Sequence, residues 1–317
     1  MGVSLAGARV LVTGGHGFLG RALLARLERA GCATLVAPGM AEYDLLREAD
    51  VARLFAEHRP EVVFHLAADV GGIAYNVANP GSTFYANALM SLLVMEHARR
   101  SGVAKFVGAG SVCEYPEHAE VPLREDTLWD GYPEPSNGPY GLAKRVMLVQ
   151  GQAYRAQYRF DAVHLLLMNL YGPGDHFDPD RAHVVAALIR RMLEAAATGA
   201  PELVVWGDGS ATREFLYVDD AARGLTLAAE RYDGAEPVNL GAGFEISIRD
   251  LATLLAELTG YRGRLVFDAS RPSGQRRRSA DVSRAKREFG FEAEVGFHEG
   301  LRRTIAWYRA QPGVAAR

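Results

Sequence analysis

Two rhythms of apolar residues alternate along the first half of the chain. Short apolar runs at 8–13 (ARVLVT), 33–37 (ATLVA), 61–68 (EVVFHLAA), 105–111 (KFVGAGS) and 161–168 (DAVHLLLM) predict strands. Their near-continuous apolarity is what a strand covered on both faces requires. Between them, apolar residues spaced by three and four predict helices at 21–31, ended by Gly31, at 82–102, and within 136–158, which opens as a loop. Strands alternating with helices build a parallel sheet with helices on both faces. Beyond 168 a Gly-Pro-Gly turn and an Asp/Pro-rich loop mark a boundary. A strand, turn and helix at 202–230, a strand and turn at 238–243, a helix at 247–260 with Ser247 placed to cap it, and a strand at 264–268 follow.

Composition narrows the partners. With 317 residues, 49% of them hydrophobic, the chain can fill a full core and divide into two lobes. A net charge of −3, from 35 basic and 38 acidic residues, gives no electrostatic basis for nucleic acid or an anionic membrane. Small solutes are the expected partners. Two cysteines, Cys32 and Cys113, make neither a disulfide framework nor a metal-ligand spacing, so no metal is expected and a reducing cytoplasm fits. No cleavable leader is recognisable, and no run approaches the ~20 apolar residues of a membrane span.

The chemistry begins at the first strand-to-helix junction. Gly14, Gly17 and Gly20 satisfy G-x-x-G-x-x-G, and Gly15, Gly17 and Gly20 satisfy G-x-G-x-x-G, with His16, Phe18 and Leu19 between them. Glycines placed so allow a tight turn, backbone approach to a pyrophosphate, and close packing of helix on strand. The placement predicts a dinucleotide site of the Rossmann type. The second strand ends in Ala37, Pro38, Gly39 and Met40, offering neither an acid for a ribose hydroxyl nor an arginine for a 2′-phosphate. The choice between NAD and NADP stays open, with a slight lean to NAD because a phosphate would lack a countercharge. Asp44, beside Leu45, is a candidate for the adenine edge and equally a plain surface carboxylate. Ala67 and Ala68, small residues ending the third strand, let a cofactor lie against backbone.

Tyr140 and Lys144 stand four apart on the helix of 136–158, so phenol and ammonium share a face. The expectation is a cation that favours the phenolate, giving a group able to trade a proton with a carbonyl near neutral pH. Ser111, delivered by a strand end, can donate to the same oxygen. His183, alone at a helix start, reads from spacing as structural. The arginines at 276–278 read as a solvated run, or as partners of a diphosphate.

Seven segments, AADVGGI (67–73), SVCEYP (111–116), EPSNGPYGLAK (134–144), NLYGPGD (169–175), AHVVAALIRR (182–191), VVWGDGSATREFLYVDD (204–220) and GYRGRLVFDASRPSGQRRRSADVSR (260–284), occur in order. Together they resemble the extended short-chain dehydrogenase/reductases, and within them the GDP-L-fucose synthases, which epimerise and reduce a GDP-4-keto-6-deoxyhexose. The resemblance implies Ser111, Tyr140 and Lys144 as the reduction triad, and Cys113 and His183 as the proton carriers of epimerisation. It implies Asn169, Arg191, Arg213 and Arg278 as substrate-binding, with Trp206 near the base. It also implies a homodimer through the helices near 82–102 and 140–158. The chain then divides into a dinucleotide-binding domain, 1–168 with 214–243 returning to it, and a smaller α/β substrate-binding domain, 169–213 and 244–317. Two departures stand out. His16 and Met40 occupy places where the family carries arginines for the NADP phosphate, which suits NADH, or a tightly held and recycled NAD in a redox-neutral nucleotide-sugar epimerase. Glu114 replaces an apolar residue, which predicts an altered sugar pocket. A non-catalytic dinucleotide sensor is the remote alternative, since such a protein has no need of Ser111, Tyr140 and Lys144 together.

Overall fold

Twelve strands are described: β1 (Arg9–Thr13), β2 (Thr34–Val36), β3 (Val62–His65), β4 (Lys105–Ser111), β5 (Ala162–Leu167), β6 (Asn169–Tyr171), β7 (Glu202–Trp206), β8 (Thr212–Arg213), β9 (Phe215–Tyr217), β10 (Val238–Leu240), β11 (Ile246–Ser247) and β12 (Arg264–Asp268). Six of them form a wholly parallel sheet in the order β10-β5-β4-β3-β1-β2. The computed structural model describes residues 2–179, 182–271, 275–312 and 314, so Asp180 and Arg181 of the Asp/Pro-rich loop and the Pro272–Gly274 part of the last quoted motif lie outside the described residues.

Ten α-helices accompany them: α1 (Phe18–Arg29), α2 (Glu48–His58), α3 (Ile73–Ala78), α4 (Pro80–Arg100), α5 (Gly138–Tyr158), α6 (Val184–Thr198), α7 (Val218–Arg231), α8 (Ile248–Thr259), α9 (Ser283–Phe289) and α10 (Phe297–Arg309). The alternation of side chains along a strand divides them between two faces of the sheet. Val10 and Val12 join one apolar cluster with Leu23 and Leu27 of α1 and with α7. Leu11 and Val63 join another with Val51, Leu54 and Phe55 of α2, Val94 and Met95 of α4, and Met147 of α5. A third cluster, built from α6, α8, α10, β7 and β12, packs the smaller lobe.

The sheet reverses its strand order between β1 and β3, and that is where a doubly wound sheet opens a crevice at the strands' carboxyl ends. Gly14 (φ +71°) turns there, and a Cβ on it would lie 2.7 Å from the Ala67 nitrogen. The loops after β1 and β3 therefore meet backbone to backbone.

Several elements differ from the sequence expectation. The glycine-rich stretch 68–80, for which the apolar pattern predicts no helix, contains α3, flanked by Gly72 as N-cap and Asn79 as C-cap. Helix α4 starts at Pro80, whose fixed φ suits a first turn. Helices α2, α9 and α10 were not anticipated. Ser247 does cap α8, accepting from the Asp250 amide at 3.0 Å. Among the described residues, no helix is long and apolar enough to cross a membrane, and no group of three His, Cys, Asp or Glu could hold a metal ion.

Candidate active site

The glycine turn is shaped to admit a large anion. A Cβ at Gly20 would fall 2.2 Å from the Gly14 oxygen, so α1 sits closer to the turn than any other residue allows. Gly17 is the N-cap of α1 and no side chain caps that end, which leaves the positive helix terminus to a ligand. Arg21 ties the turn to the Gly-Pro-Gly loop by donating to the His16 oxygen at 2.7 Å and the Gly174 oxygen at 2.6 Å. These features fit a dinucleotide: the turn from Gly14 through His16, Gly17, Phe18 and Leu19 to Gly20 would face its pyrophosphate, and Ala67 and Ala68 its flank. A Cβ at Gly15 would lie 2.7 Å from the Ala37 Cβ, while Met40 is 84% exposed. Asp44 accepts from the Leu46 amide at 3.0 Å and stands 3.5 Å from Arg47, a turn-forming role, and Leu45 is buried in the core beneath it.

The second part of the site is a turn clamped under a helix. Ser111 ends β4 and caps the 3₁₀ turn Val112–Glu114, accepting from the Cys113 amide at 3.2 Å, while the Glu114 carboxylate accepts from the Ser111 amide at 2.7 Å. Helix α5 lies so close that a Cβ at Gly141 would stand 2.2 Å from the Cys113 oxygen. That contact brings the buried Tyr140 phenol beside the turn, where Cys113, Glu114 and Ser111 all act on it. One turn further along α5, Lys144 is buried with its Nζ 5.8 Å from the centroid of the Tyr140 ring.

The electrostatics correct one expectation. Burial, followed by Cys113 and Glu114, pushes the Tyr140 phenol above its ordinary range, and only the Ser111 hydrogen bond works the other way. Lys144 does not hold a phenolate here, because the cost of an anion in a dry site outweighs a cation at that remove. The phenol is a neutral acid. Burial lowers Lys144 to about 8, against an opposing pull from Glu114. His65, paired through Nδ1 with the Thr13 hydroxyl at 2.8 Å, is driven down to about 3 by burial and then by Lys144.

A second correction concerns Glu114. Its side chain is fully buried and directed to His164 of β5, so it does not reshape the sugar pocket.

The remaining residues approach from the smaller lobe. Arg278 Nη1 lies 3.9 Å from the Cys113 sulfur, and the Glu214 amide donates to the Arg278 oxygen at 2.9 Å. The arginine run is thus backbone-paired rather than loose. Glu214, unremarked in the sequence, is its bolt: its carboxylate accepts from the amides of Ala242, Gly243 and Ala280 and from the Ser279 hydroxyl, at 2.6 to 3.0 Å. Arg213, on the adjoining position of β8, is brought down to about 10 by burial and then by Arg278. Two half-buried guanidiniums near one another make a place for a polyanion. Asn169 Nδ2 donates to the Glu214 oxygen at 2.8 Å. His183 is the N-cap of α6. Its residue keeps an exposed surface, yet the protein packed around it lowers its pKa, with His176 second. Arg191 donates to the Val204 oxygen at 2.6 Å, and Trp206, 60% exposed, carries the Arg271 guanidinium 5.5 Å from its ring centroid. Ser111, Cys113, Tyr140 and Lys144 are thus assembled at one place with Arg213 and Arg278 beside them, whereas His183, Arg191 and Trp206 engage other neighbours.

A parallel sheet reversed at a glycine turn, with a serine, tyrosine and lysine grouped beyond it, is the architecture of a dinucleotide-dependent enzyme. The chain belongs to the NAD dependent epimerase/dehydratase family, whose model matches residues 10–241. It is 42% identical over 303 residues, 95% of this chain and 92% of the relative, to a probable GDP-L-fucose synthase 1 of Oryza sativa subsp. japonica. It is 38% identical over 309 residues, 95% of this chain and 96% of the relative, to the GDP-L-fucose synthase of Escherichia coli (strain K12). Among solved structures, a GDP-L-fucose synthetase from Naegleria fowleri bound to NADP superposes with a TM-score of 0.89 at 30% identity, covering 97% of this chain and 94% of the other. The chain is an NAD(P)-dependent epimerase/reductase.

Proposed function

We propose that the chain converts a GDP-4-keto-6-deoxyhexose to the epimerised and reduced GDP-sugar, with the two chemistries assigned to different proton carriers. One observation carries this reading: the Cys113 sulfur lies 3.9 Å from Arg278 Nη1 and close enough to the buried Tyr140 phenol to act on its pKa, which brings a proton carrier, a ketone-oxygen donor and a cation for the diphosphate near one another. Bound NAD(P)H supplies the hydride that the ketone carbon accepts. Tyr140, kept neutral by burial, donates its proton to the ketone oxygen, and Ser111 donates a hydrogen bond to the same oxygen. Before reduction the same two donors stabilise negative charge on that oxygen when a neighbouring carbon loses its proton. Cys113 takes that proton from one face and His183 returns one to the other. Arg213, Arg278 and Arg191 hold the diphosphate, Trp206 packs beside the base, and Asn169 lines the sugar. Residues 1–168 with 214–243 hold the dinucleotide, and 169–213 with 244–317 hold the substrate.

The neutral stretch Ala37 to Met40 supports weak discrimination between NAD and NADP, with a lean to NAD that sets this chain apart from the relative solved with NADP. It also favours the second reading, a redox-neutral epimerase with recycled NAD. Exposed Phe84, Tyr85 and Leu92 on α4, and Val149 and Tyr158 on α5, support a homodimer through these helices, tested by its mass in solution. The experiment for the main reading is Tyr140→Phe. Reduction of the ketosugar should fall by roughly 10²–10⁴-fold, the scale of a lost acid, with cofactor affinity nearly unchanged. Full turnover in that variant would remove Tyr140 from the chemistry.

A further inference from the structure

One side chain crosses from the glycine turn to the smaller lobe. Arg21 stands in the first turn of α1, whose Leu23 and Leu27 pack into the cluster of the parallel sheet. Its guanidinium serves two carbonyls. Nη1 donates to the His16 oxygen, within the glycine turn, at 2.7 Å, and Nη2 donates to the Gly174 oxygen, 153 residues further along the chain, at 2.6 Å. Gly174 lies in a short loop, 172–176, between two residues of the smaller lobe's apolar cluster. Tyr171 precedes the loop at 1% exposure, and Phe177 follows it, its ring stacked 4.0 Å from that of Tyr308 of α10. The ends of the loop are therefore fixed in one lobe, while its middle is held by a side chain of the other.

The approach depends on the local backbone. Gly174 has φ +87°, a left-handed conformation that glycine adopts without strain, and a Cβ there would stand 3.2 Å from Arg21 Nη2. At Gly172 a Cβ would fall 2.6 Å from Val218 Cγ1, so the loop also rests on α7. Apolar packing of that kind is non-directional, whereas two charge-assisted bonds from one planar guanidinium fix the separation and angle of the two carbonyls. Arg21 is exposed, and water can replace it at both oxygens, so its loss leaves the fold intact.

The His16 oxygen belongs to the turn shaped for a dinucleotide, and the 172–176 loop belongs to the lobe whose α6 carries Arg191. We propose that Arg21 is a positioning residue that couples the two sites: stiffening of the glycine turn by a bound dinucleotide passes through this guanidinium to the 172–176 loop, so that each ligand lowers the ordering cost of the other. The proposal rests on the reading that the glycine turn takes the dinucleotide and the smaller lobe takes the GDP moiety.

Hydrogen–deuterium exchange reads the coupling without substrate or turnover. In the wild type, saturating oxidised NAD or NADP should slow exchange both at 15–20 and at 172–177. Arg21→Met keeps the stem and removes both donors. Under saturation it should retain the protection at 15–20 and lose that at 172–177. Affinity should show the same loss. The factor by which the dinucleotide tightens GDP binding, measured by calorimetry and equal when the order of addition is reversed, should be roughly fivefold or more in the wild type and close to one in the variant. Protection at 172–177 that survives in Arg21→Met or is absent from the wild type, or a tightening factor equal in the two proteins, would overturn the proposal and leave Arg21 as a surface clip. Failure of the wild type to bind GDP would count against the functional reading alone, since the exchange comparison needs only the dinucleotide.

Discussion

Asp175 shows how a single residue in the cleft is tuned by its surroundings. It is buried, its Oδ1 accepts from the His176 amide at 2.7 Å, and burial raises its pKa from 3.8 to about 7. A raised carboxyl binds its proton more tightly in the folded than in the unfolded chain between those two values. Its contribution to stability is therefore full below pH 4 and is lost as pH rises to 7 and above. Asp175→Asn keeps the acceptor and removes the titration. It should stabilise the protein at pH 8 relative to wild type by a few kcal/mol at most, since each tenfold change in proton affinity is worth about 1.4 kcal/mol, with little difference at about pH 3.5 and below. Urea midpoints at the two pH values check this, and an equal difference at both would show that Asp175 is not the titrating group. At this scale the sequence was readable where chemistry follows local spacing, as with Tyr140 and Lys144 on one helix face. It was unreadable where partners are distant. Nothing in SVCEYP announces His164, and nothing in TREF announces that Glu214 will hold three backbone amides. Such pairings depend on which strands become neighbours.

Elements are positioned by close backbone approaches more than by charged contacts. Gly141 puts α5 against the Cys113 carbonyl, and that docking sets Tyr140 beside Ser111. Gly141→Ala should push α5 away from the turn, destabilise by about 1–3 kcal/mol through overpacking, and reduce turnover by roughly 10²-fold through misplacement of the phenol. Turnover and urea midpoint measured together test it; wild-type values for both would mean that the turn yields freely and the docking sets nothing. The parallel strands were legible because both of their faces are buried, which leaves continuous apolar runs. Helix α2 carries an equally clear signal in the buried Val51, Leu54 and Phe55, at positions three and four apart. Helix α3 was hidden because its six residues lie between glycines and a proline, which read as a loop when no periodicity has room to develop.

Across the whole molecule, the glycine turn follows a strand of the six-stranded sheet, whereas Arg213 and Arg278 lie on segments outside that sheet. β10 pairs with β5 long after the chain has left the sheet, and Glu214 fastens the segment at 278–280 to the turn that follows β10. The family could be read from motifs spread along the chain, whereas the neutral phenol and the inward-facing Glu114 emerged only from burial. The central claim is that one ketone serves two chemistries with separate proton carriers. The most direct test is Cys113→Ser, assayed with the GDP-4-ketosugar in heavy water and read by mass spectrometry and NMR of the product. A serine keeps the size but cannot serve as a base near neutral pH. Deuterium incorporation at C3 and C5 should be suppressed while reduction at C4 survives in part, giving an unepimerised alcohol. Incorporation at the wild-type rate would make Cys113 a packing residue and contradict the account.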